Sequence, residues 1–377
     1  MAQPEPHISA LLAERTAAGD FPSAVYLVAE RGATRFSDAL GDAVRVPARH
    51  PATLATIYDL ASLTKPLVTG LLCAQQIERG ALELDAPVAR YLSEFARPDK
   101  AAITLRQLLT HTAGLPAWQP LYLLTNNQRA RVLEVIAAQP LEHAPGTHVR
   151  YSDLGFITLG LLLERVRGAR LADLAAREII VPLDLRHTFF NPAAAAQTGI
   201  AACESAGNAY EREMCAQAAA TLTETNFRTQ PIWGEVHDGN AYFLGGAAGH
   251  AGLFSTAQET CAIAAQFIAA RTRLLRPDTC ALFRTNMTPG LNEARSLAWQ
   301  LAATPESTAG AALPPDSFGH LGFTGTSCWI DARAERIFLL LTNRTHDHAL
   351  PFVNINSTRR AFHTLAVAAL ERAAGNA

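Results

Sequence analysis

Ser62-Leu63-Thr64-Lys65 places a hydroxyl and an amine three residues apart, with Pro66 directly after them. If a helix begins near Ser62, residues at that spacing share a face and both groups point into one space. A serine hydroxyl becomes a nucleophile only when something takes its proton. A lysine amine can do so when burial or a neighbouring cation lowers its pKa. Pro66 suits the first turn of a helix, and the orphan N–H groups of a helix start can polarise a developing oxyanion. The composition adds weight. Of 32 basic residues only Lys65 and Lys100 are lysine, so this chain uses arginine wherever it needs simple positive charge, and lysine differs in being able to lose its proton. Lys100, within Arg97-Pro98-Asp99-Lys100, is expected as a solvated loop charge. Alone, the Ser62–Lys65 segment reads equally well as an N-capping serine followed by a surface lysine.

Two distant segments carry complementary groups. In Arg150-Tyr151-Ser152-Asp153-Leu154, a tyrosine just before a helix cap can reach a facing cleft, where its phenol can relay a proton between Ser62 and a leaving group. Taken singly, Tyr151 reads as a packing residue. In Phe318-Gly319-His320-Leu321-Gly322-Phe323-Thr324-Gly325, glycines within a strand let a ligand or another backbone come close, and such a strand can offer an N–H to a carbonyl oxygen. His320 is expected to supply a donor or a charge there, or, read singly, to be a strand-end histidine bonded to backbone. Gly234 to Asn240 and His250 either line a cleft or tie a loop down. His111 is expected to bond locally at a helix end. His346-Asp347-His348 lacks a third ligand in motif spacing and is not expected to hold a metal. The sequence contains no Gly-x-Ser-x-Gly elbow, Walker loop or Gly-x-Gly-x-x-Gly.

These segments need elements to bring them together. Residues 22–29 and 35–39 read as an N-terminal hairpin. Helical spacing runs from about Ser62 until Gly80, and Asp85 reads as the cap of a short helix with Pro87 in its first turn. Further helices are expected over 103–109, 129–138, 154–166, 171–180 and 256–270, with Ser152 or Asp153 capping the third and Gly168 closing it. Residues 184–250 are rich in loop signals. Strands are expected at 296–302, 319–324, 327–331 and 337–342, and a final amphipathic helix over 357–374. Strands at both ends around a helical middle suggest one sheet built from both termini. The expected division is a sheet domain of residues 1–60 and 290–377 and a mainly helical domain of 61–289.

The 377 residues are 49% apolar and 18% charged, with a net charge of −2. A large core is feasible, and no bulk positive field exists to hold nucleic acid. No apolar run approaches the roughly 20 residues of a membrane span, and the first twenty residues do not read as a signal peptide. A cytoplasmic protein is therefore expected, with its six cysteines as free thiols.

In order and combination, Ser62/Lys65, Tyr151/Asp153 and His320/Gly322 resemble the serine β-lactamase and penicillin-binding-protein superfamily, specifically its class C-like branch with esterases and D-alanyl-D-alanine carboxypeptidases. Residues 103–115 and 249–257 are also similar to that family. The resemblance implies an α/β (α+β) fold with an antiparallel sheet, flanking helices and a helical second domain. It implies that Ser62 is acylated, that Lys65 accepts its proton, and that Tyr151 is the general base or relay. It further implies an oxyanion hole from the backbone N–H groups of Ser62 and Phe323, with substrate contacts from Asp153, His320, Gly322 and Thr324. The substrate is a small molecule; no metal or organic cofactor is implied. Two departures from the family pattern matter. Asp153 replaces an Asn: ionised, it only accepts hydrogen bonds and favours the charged form of Lys65, unless it merely caps the helix. Leu321 replaces a Thr, removing a hydroxyl that would bind a carboxylate. Both changes favour a simple ester or amide over a penicillin or peptidyl carboxylate. The alternatives are a D-alanyl-D-alanine carboxypeptidase or β-lactamase proper, and a non-catalytic binding protein on the same fold.

Overall fold

The computed structural model describes residues 3–216 and 227–375. Its principal helices are α1 (Pro6–Ala17), α2 (Leu71–Glu78), α3 (Asp153–Arg167), α4 (Ala257–Ala264) and α5 (Asn356–Gly375). The strands are β1 (Ser23–Glu30), β2 (Ala33–Val44), β3 (His50–Pro51), β4 (Tyr58–Asp59), β5 (Phe254–Ser255), β6 (Gln300–Leu301), β7 (Phe318–Leu321), β8 (Ser327–Asp331) and β9 (Arg336–Thr342). Seven of them form one antiparallel sheet of order β3-β2-β1-β9-β8-β7-β6. The two chain ends thus meet in its centre, where Ala24 pairs with Thr342 and Glu30 with Arg336. β4 and β5 form a separate small ribbon.

Alternation along the central strands explains the layering, because successive side chains leave a strand on opposite faces. Tyr26, Val28, Trp329, Phe338 and Leu340 face one side and pack on Ile8 and Leu12 of α1 and Phe362, Ala366 and Leu370 of α5. Val25, Leu27, Ile330, Leu339 and Leu341 face the other side and merge with the core of the inserted helices, including Leu71, Leu159 and Ile263. Helix α1 is absent from the sequence reading. Its signals are nevertheless present: Glu5 caps it by accepting from the Ile8 N–H at 2.9 Å, Pro6 occupies its first turn, and Ile8 and Leu12 recur at helical spacing.

Several expected elements are shorter or differently capped. The strand expected over 296–302 is reduced to Gln300–Leu301, because Ala298 adopts φ +64° in a turn closed by Ser296 N–H to Trp299 O at 3.1 Å. The strand expected over 319–324 ends at Leu321, where the Gly322 N–H reaches the Thr326 carbonyl at 2.8 Å and closes a hairpin turn. Asp85 caps no helix; both its oxygens accept from Arg106, at 2.6 and 2.7 Å. Lys100 is not a solvated charge. Its side chain is buried and pairs with Asp99. The six cysteines are buried and unpaired.

Candidate active site

The strand β4 runs straight into the turn that carries Ser62. Ala61 there has φ +49°, a left-handed conformation that costs a residue with a side chain about 1–3 kcal/mol. Asp59 holds it by accepting from the Ala61 N–H at 2.8 Å. A tight helical turn, Ala61–Leu63, then widens over Lys65–Gly70 before becoming α2. The expected helix is therefore present but irregular at its start. Ser62 and Lys65 still share a face: Lys65 Nζ donates to Ser62 Oγ at 2.8 Å.

Lys65 is fully buried beneath the serine. Its other contacts are the His250 carbonyl at 3.1 Å and Asp153 Oδ1 at 2.7 Å. Two hydrogen bonds and one ion pair suit an ammonium, which has no acceptor of its own. Burial pulls the Lys65 pKa down, but Asp153 and then Tyr151 outweigh it and hold it above the ordinary lysine value. Asp153 is thus not the helix cap; Ser152 caps α3, its Oγ accepting from the Gly155 N–H at 3.2 Å.

Tyr151 completes the group. The Lys65 ammonium lies 4.8 Å from its ring centroid. Burial pushes the phenol up; Lys65, by charge and hydrogen bonding, and Ser62, by hydrogen bonding, pull it back only in part, so it stays above the ordinary tyrosine value. His111 packs on the same ring at 4.6 Å between centroids and accepts from the Ser152 N–H at 3.0 Å; in place of the expected local bond, this contact across the chain fixes the segment that bears Tyr151. His320 lies on the far side, 5.8 Å from the Tyr151 ring. It does not supply a charge. Burial, then Lys65, then Arg295 push it well below the ordinary histidine value, and its Nδ1 is engaged with the Leu321 carbonyl at 2.8 Å.

The turn after β7 is pressed onto the serine turn. Thr324 Oγ1 donates to the Asp59 carbonyl at 2.8 Å and Thr326 Oγ1 to the Leu60 carbonyl at 2.9 Å. Only glycine fits at 322, since a Cβ there would stand 2.0 Å from Thr326 Oγ1 and 2.5 Å from the Leu60 carbonyl. Thr324, expected among the substrate contacts, is buried with its hydroxyl turned to backbone and does not line the cavity. The Ser62 and Phe323 N–H groups donate to no protein acceptor among the described residues.

A cavity of about 630 Å³ opens on these groups and is lined by Ser62, Tyr151, Asp153, His320, Gly322 and Phe323. Tyr210 and Phe352, which the sequence reading did not single out, line it too. Tyr210, Phe323 and Phe352 form an aromatic wall with ring centroids 5.0 to 5.9 Å apart. Arg344 and Arg359 lie beside it. Arg344 donates to the Phe323 and Val353 carbonyls at 2.8 Å, and Arg359 to Asn356 Oδ1 at 2.9 Å and the Thr326 carbonyl at 3.1 Å. Neither pairs with a carboxylate among the described residues, and burial pushes Arg359 down to about 9. Of the loop expected over 184–250, Asp238 lines the cavity and caps the helix Gly239–Phe243, while His250 Nε2 pairs with Asp238 Oδ1 at 2.8 Å. Asp153, Asp238 and His250 bring ligand atoms within 4.8 Å of one another. They do not suit a metal, because the Lys65 ammonium already occupies Asp153 and a dication would have to displace it. His346 is likewise engaged, by the Arg45 N–H at 2.8 Å and the Cys203 carbonyl at 2.7 Å.

Comparison with known proteins gives the family. The sequence matches the Beta-lactamase family over residues 8–359. A putative D-alanyl-D-alanine carboxypeptidase of Escherichia coli K12 is 32% identical over 317 residues, covering 78% of this chain and 70% of the relative. One from Salmonella agona is 32% identical over 332 residues, covering 81% and 74%. Among solved structures, EstCE1, described as a hydrolase with promiscuous acyltransferase activity, superposes with a TM-score of 0.73 at 22% identity, covering 96% of this chain and 98% of its own. A class C β-lactamase does so with a TM-score of 0.73 at 16% identity, covering 97% and 95%. These two show a common fold. No helix of the described residues is long and apolar enough to cross a membrane. The chain belongs to the Beta-lactamase family and is a serine hydrolase of that family.

Proposed function

We propose that this hydrolase cleaves a small ester or amide through an acyl-enzyme on Ser62. The observation that carries the reading is the 2.8 Å contact between Lys65 Nζ and Ser62 Oγ, at a buried ammonium that also touches Tyr151, all at one cavity. The resting pair carries its full complement of protons. The reactive form has lost one. Because Asp153 favours the lysine's charge, that proton leaves from the tyrosine side, giving Lys65 ammonium beside Tyr151 phenolate; the pair titrates as a unit. Tyr151 then takes the Ser62 proton as Oγ attacks the carbonyl carbon. The carbonyl oxygen becomes an oxyanion between the Ser62 and Phe323 N–H groups, and Tyr151 returns the proton to the departing alcohol or amine. Water repeats the sequence on the acyl-enzyme: Tyr151 takes its proton, the acid is formed, and Oγ is reprotonated. Lys65 stays an ammonium throughout and stabilises the phenolate. This gives Lys65 a different part from the proton acceptor that the resemblance implies, because Asp153 and Tyr151 favour its charged form. Asp153, His320 and Gly322 contact the substrate from the cavity wall in this reading.

A second reading is favoured by Arg344 and Arg359. Two arginines without carboxylate partners among the described residues, lining the same cavity as Ser62, suit an anionic group on the substrate, as in a peptidyl carboxylate. The name of the E. coli relative points the same way. Incubating the protein and Ser62→Ala with p-nitrophenyl esters, a fluorescent penicillin and D-alanyl-D-alanine peptides separates the two. Ester turnover lost in the variant supports the first reading. Release of D-alanine at a higher kcat/KM than any ester supports the second. Reaction with no probe supports a non-catalytic binding protein.

A further inference from the structure

We infer that Asp59 is a positioning residue that fixes the two backbone donors of Ser62 and Phe323 relative to one another. The inference rests on the acyl-enzyme reading above and extends it to a residue behind the reacting groups. Asp59 is 2% exposed, and no cation pairs with its carboxylate among the described residues. Both carboxylate oxygens are spent on backbone. Oδ1 accepts from the Ala61 N–H at 2.8 Å, and Oδ2 from the His237 N–H at 2.8 Å. The first bond holds the left-handed turn at Ala61, which sets where the Ser62 N–H points. The second reaches the other donor. The His237 ring stacks on the Phe323 ring, 5.5 Å between centroids and 25° between planes. A third link leaves from the main chain, where the Asp59 carbonyl accepts from Thr324 Oγ1, in the residue after Phe323. One residue therefore touches the Ser62 turn directly and the Phe323 turn by two routes. Oxyanion stabilisation depends on donors held at the right place before charge develops. A carboxylate with two acceptors can hold both N–H groups, whereas a carboxamide offers one acceptor and turns a donor at the other N–H.

The test compares Asp59→Asn, Thr324→Val and Thr324→Ser on p-nitrophenyl acetate, with Ser62→Ala as the reference. Asp59→Asn is expected to lower kcat about 100-fold, with KM within about threefold, and to slow fluorophosphonate labelling of Ser62 in parallel. Thr324→Val is expected to lower kcat about three- to tenfold, and Thr324→Ser, which keeps the hydroxyl, to restore it. A purely structural role would lower the melting temperature and leave kcat of the folded protein and the Val/Ser contrast unmoved. If Ser62→Ala hydrolyses the ester as the wild type does, the acyl-enzyme reading fails. If Ser62→Ala is inert while Asp59→Asn, folded by circular dichroism, keeps wild-type kcat, the positioning role is overturned. Should Asp59→Asn not fold, equal kcat in Thr324→Val, Thr324→Ser and wild type overturns it instead.

Discussion

Replacing Asp153 by Asn is expected to move the pH profile of the enzyme toward acid. The carboxylate raises the affinity for the proton at both members of the central pair, Lys65 and Tyr151. Its Oδ1 is 2.7 Å from Lys65 Nζ, and its side chain is 17% exposed. At an effective dielectric of about 20, unit charges at that separation attract by about 6 kcal/mol, an upper bound because burial opposes the ionised forms. A contacting opposite charge shifts a pKa by about 1–3 units, or about 1.4–4 kcal/mol. The reactive form needs one proton fewer than the resting pair, so kcat/KM for a neutral ester rises with pH up to the apparent pKa of the pair. The carboxamide of Asp153→Asn removes the charge but keeps the shape and an acceptor for Lys65. The rising limb should move down by at least about one unit, and the rate at fixed pH on that limb should increase about tenfold per unit. The assay is kcat/KM for p-nitrophenyl acetate from pH 5 to 10, corrected for spontaneous hydrolysis. A limb that stays in place, or moves to higher pH, refutes the reasoning, whatever the absolute rate.

Gly322→Ala should leave a folded protein with kcat/KM for the ester reduced about 100-fold or more, since its Cβ would stand 2.5 Å from the Leu60 carbonyl and drive the Phe323 turn off the serine turn; steady-state kinetics beside circular dichroism check this. Burial pushes Glu211 up from 4.5 to about 7, against hydrogen bonds from Gly239 N–H and Tyr122 OH at 2.7 and 2.9 Å. The folded chain holds this proton more tightly than the unfolded one. Its stabilisation is therefore fully present below about pH 4.5 and lost as pH rises through about 7, on the order of 3 kcal/mol. Glu211→Gln should flatten the fall in melting temperature between those pH values, measured by calorimetry against the wild type.

The sheet was legible because residues 24–29 and 337–341 are unbroken apolar runs, as strands buried on both faces require. Helix ends were legible where glycine adopts a left-handed conformation, as at Gly80 and Gly168, with φ +72° and +61°. Helix α1 was missed because its buried stripe is only Ile8 and Leu12, with a charged surface around it. The strand ends at 296–302 and 319–324 were misplaced because local turns, Ser296 N–H to Trp299 O with Ala298 left-handed and Gly322 N–H to Thr326 O, stop each ladder among residues whose types suit a strand. Within the site, Ser62, Lys65 and Tyr151 were identifiable from type and order. The state of Lys65 was not, since it depends on how closely Asp153 and Tyr151, distant in sequence, approach its amine. Thr324 was expected to contact substrate on the resemblance alone; its partner, the Asp59 carbonyl, is distant in sequence. Arg344 and Arg359 gave no signal in a chain that uses arginine for nearly every positive charge.

The central claim is that one serine carries the acyl group. Reacting separate samples of the protein with a fluorophosphonate and with a slowly hydrolysed ester at low pH, and mapping the modified peptide in each by mass spectrometry, tests it directly. One adduct per chain on Ser62, absent from Ser62→Ala and formed more slowly by Tyr151→Phe, is the predicted result. An adduct on any other residue, or equal modification of Ser62→Ala, contradicts the account.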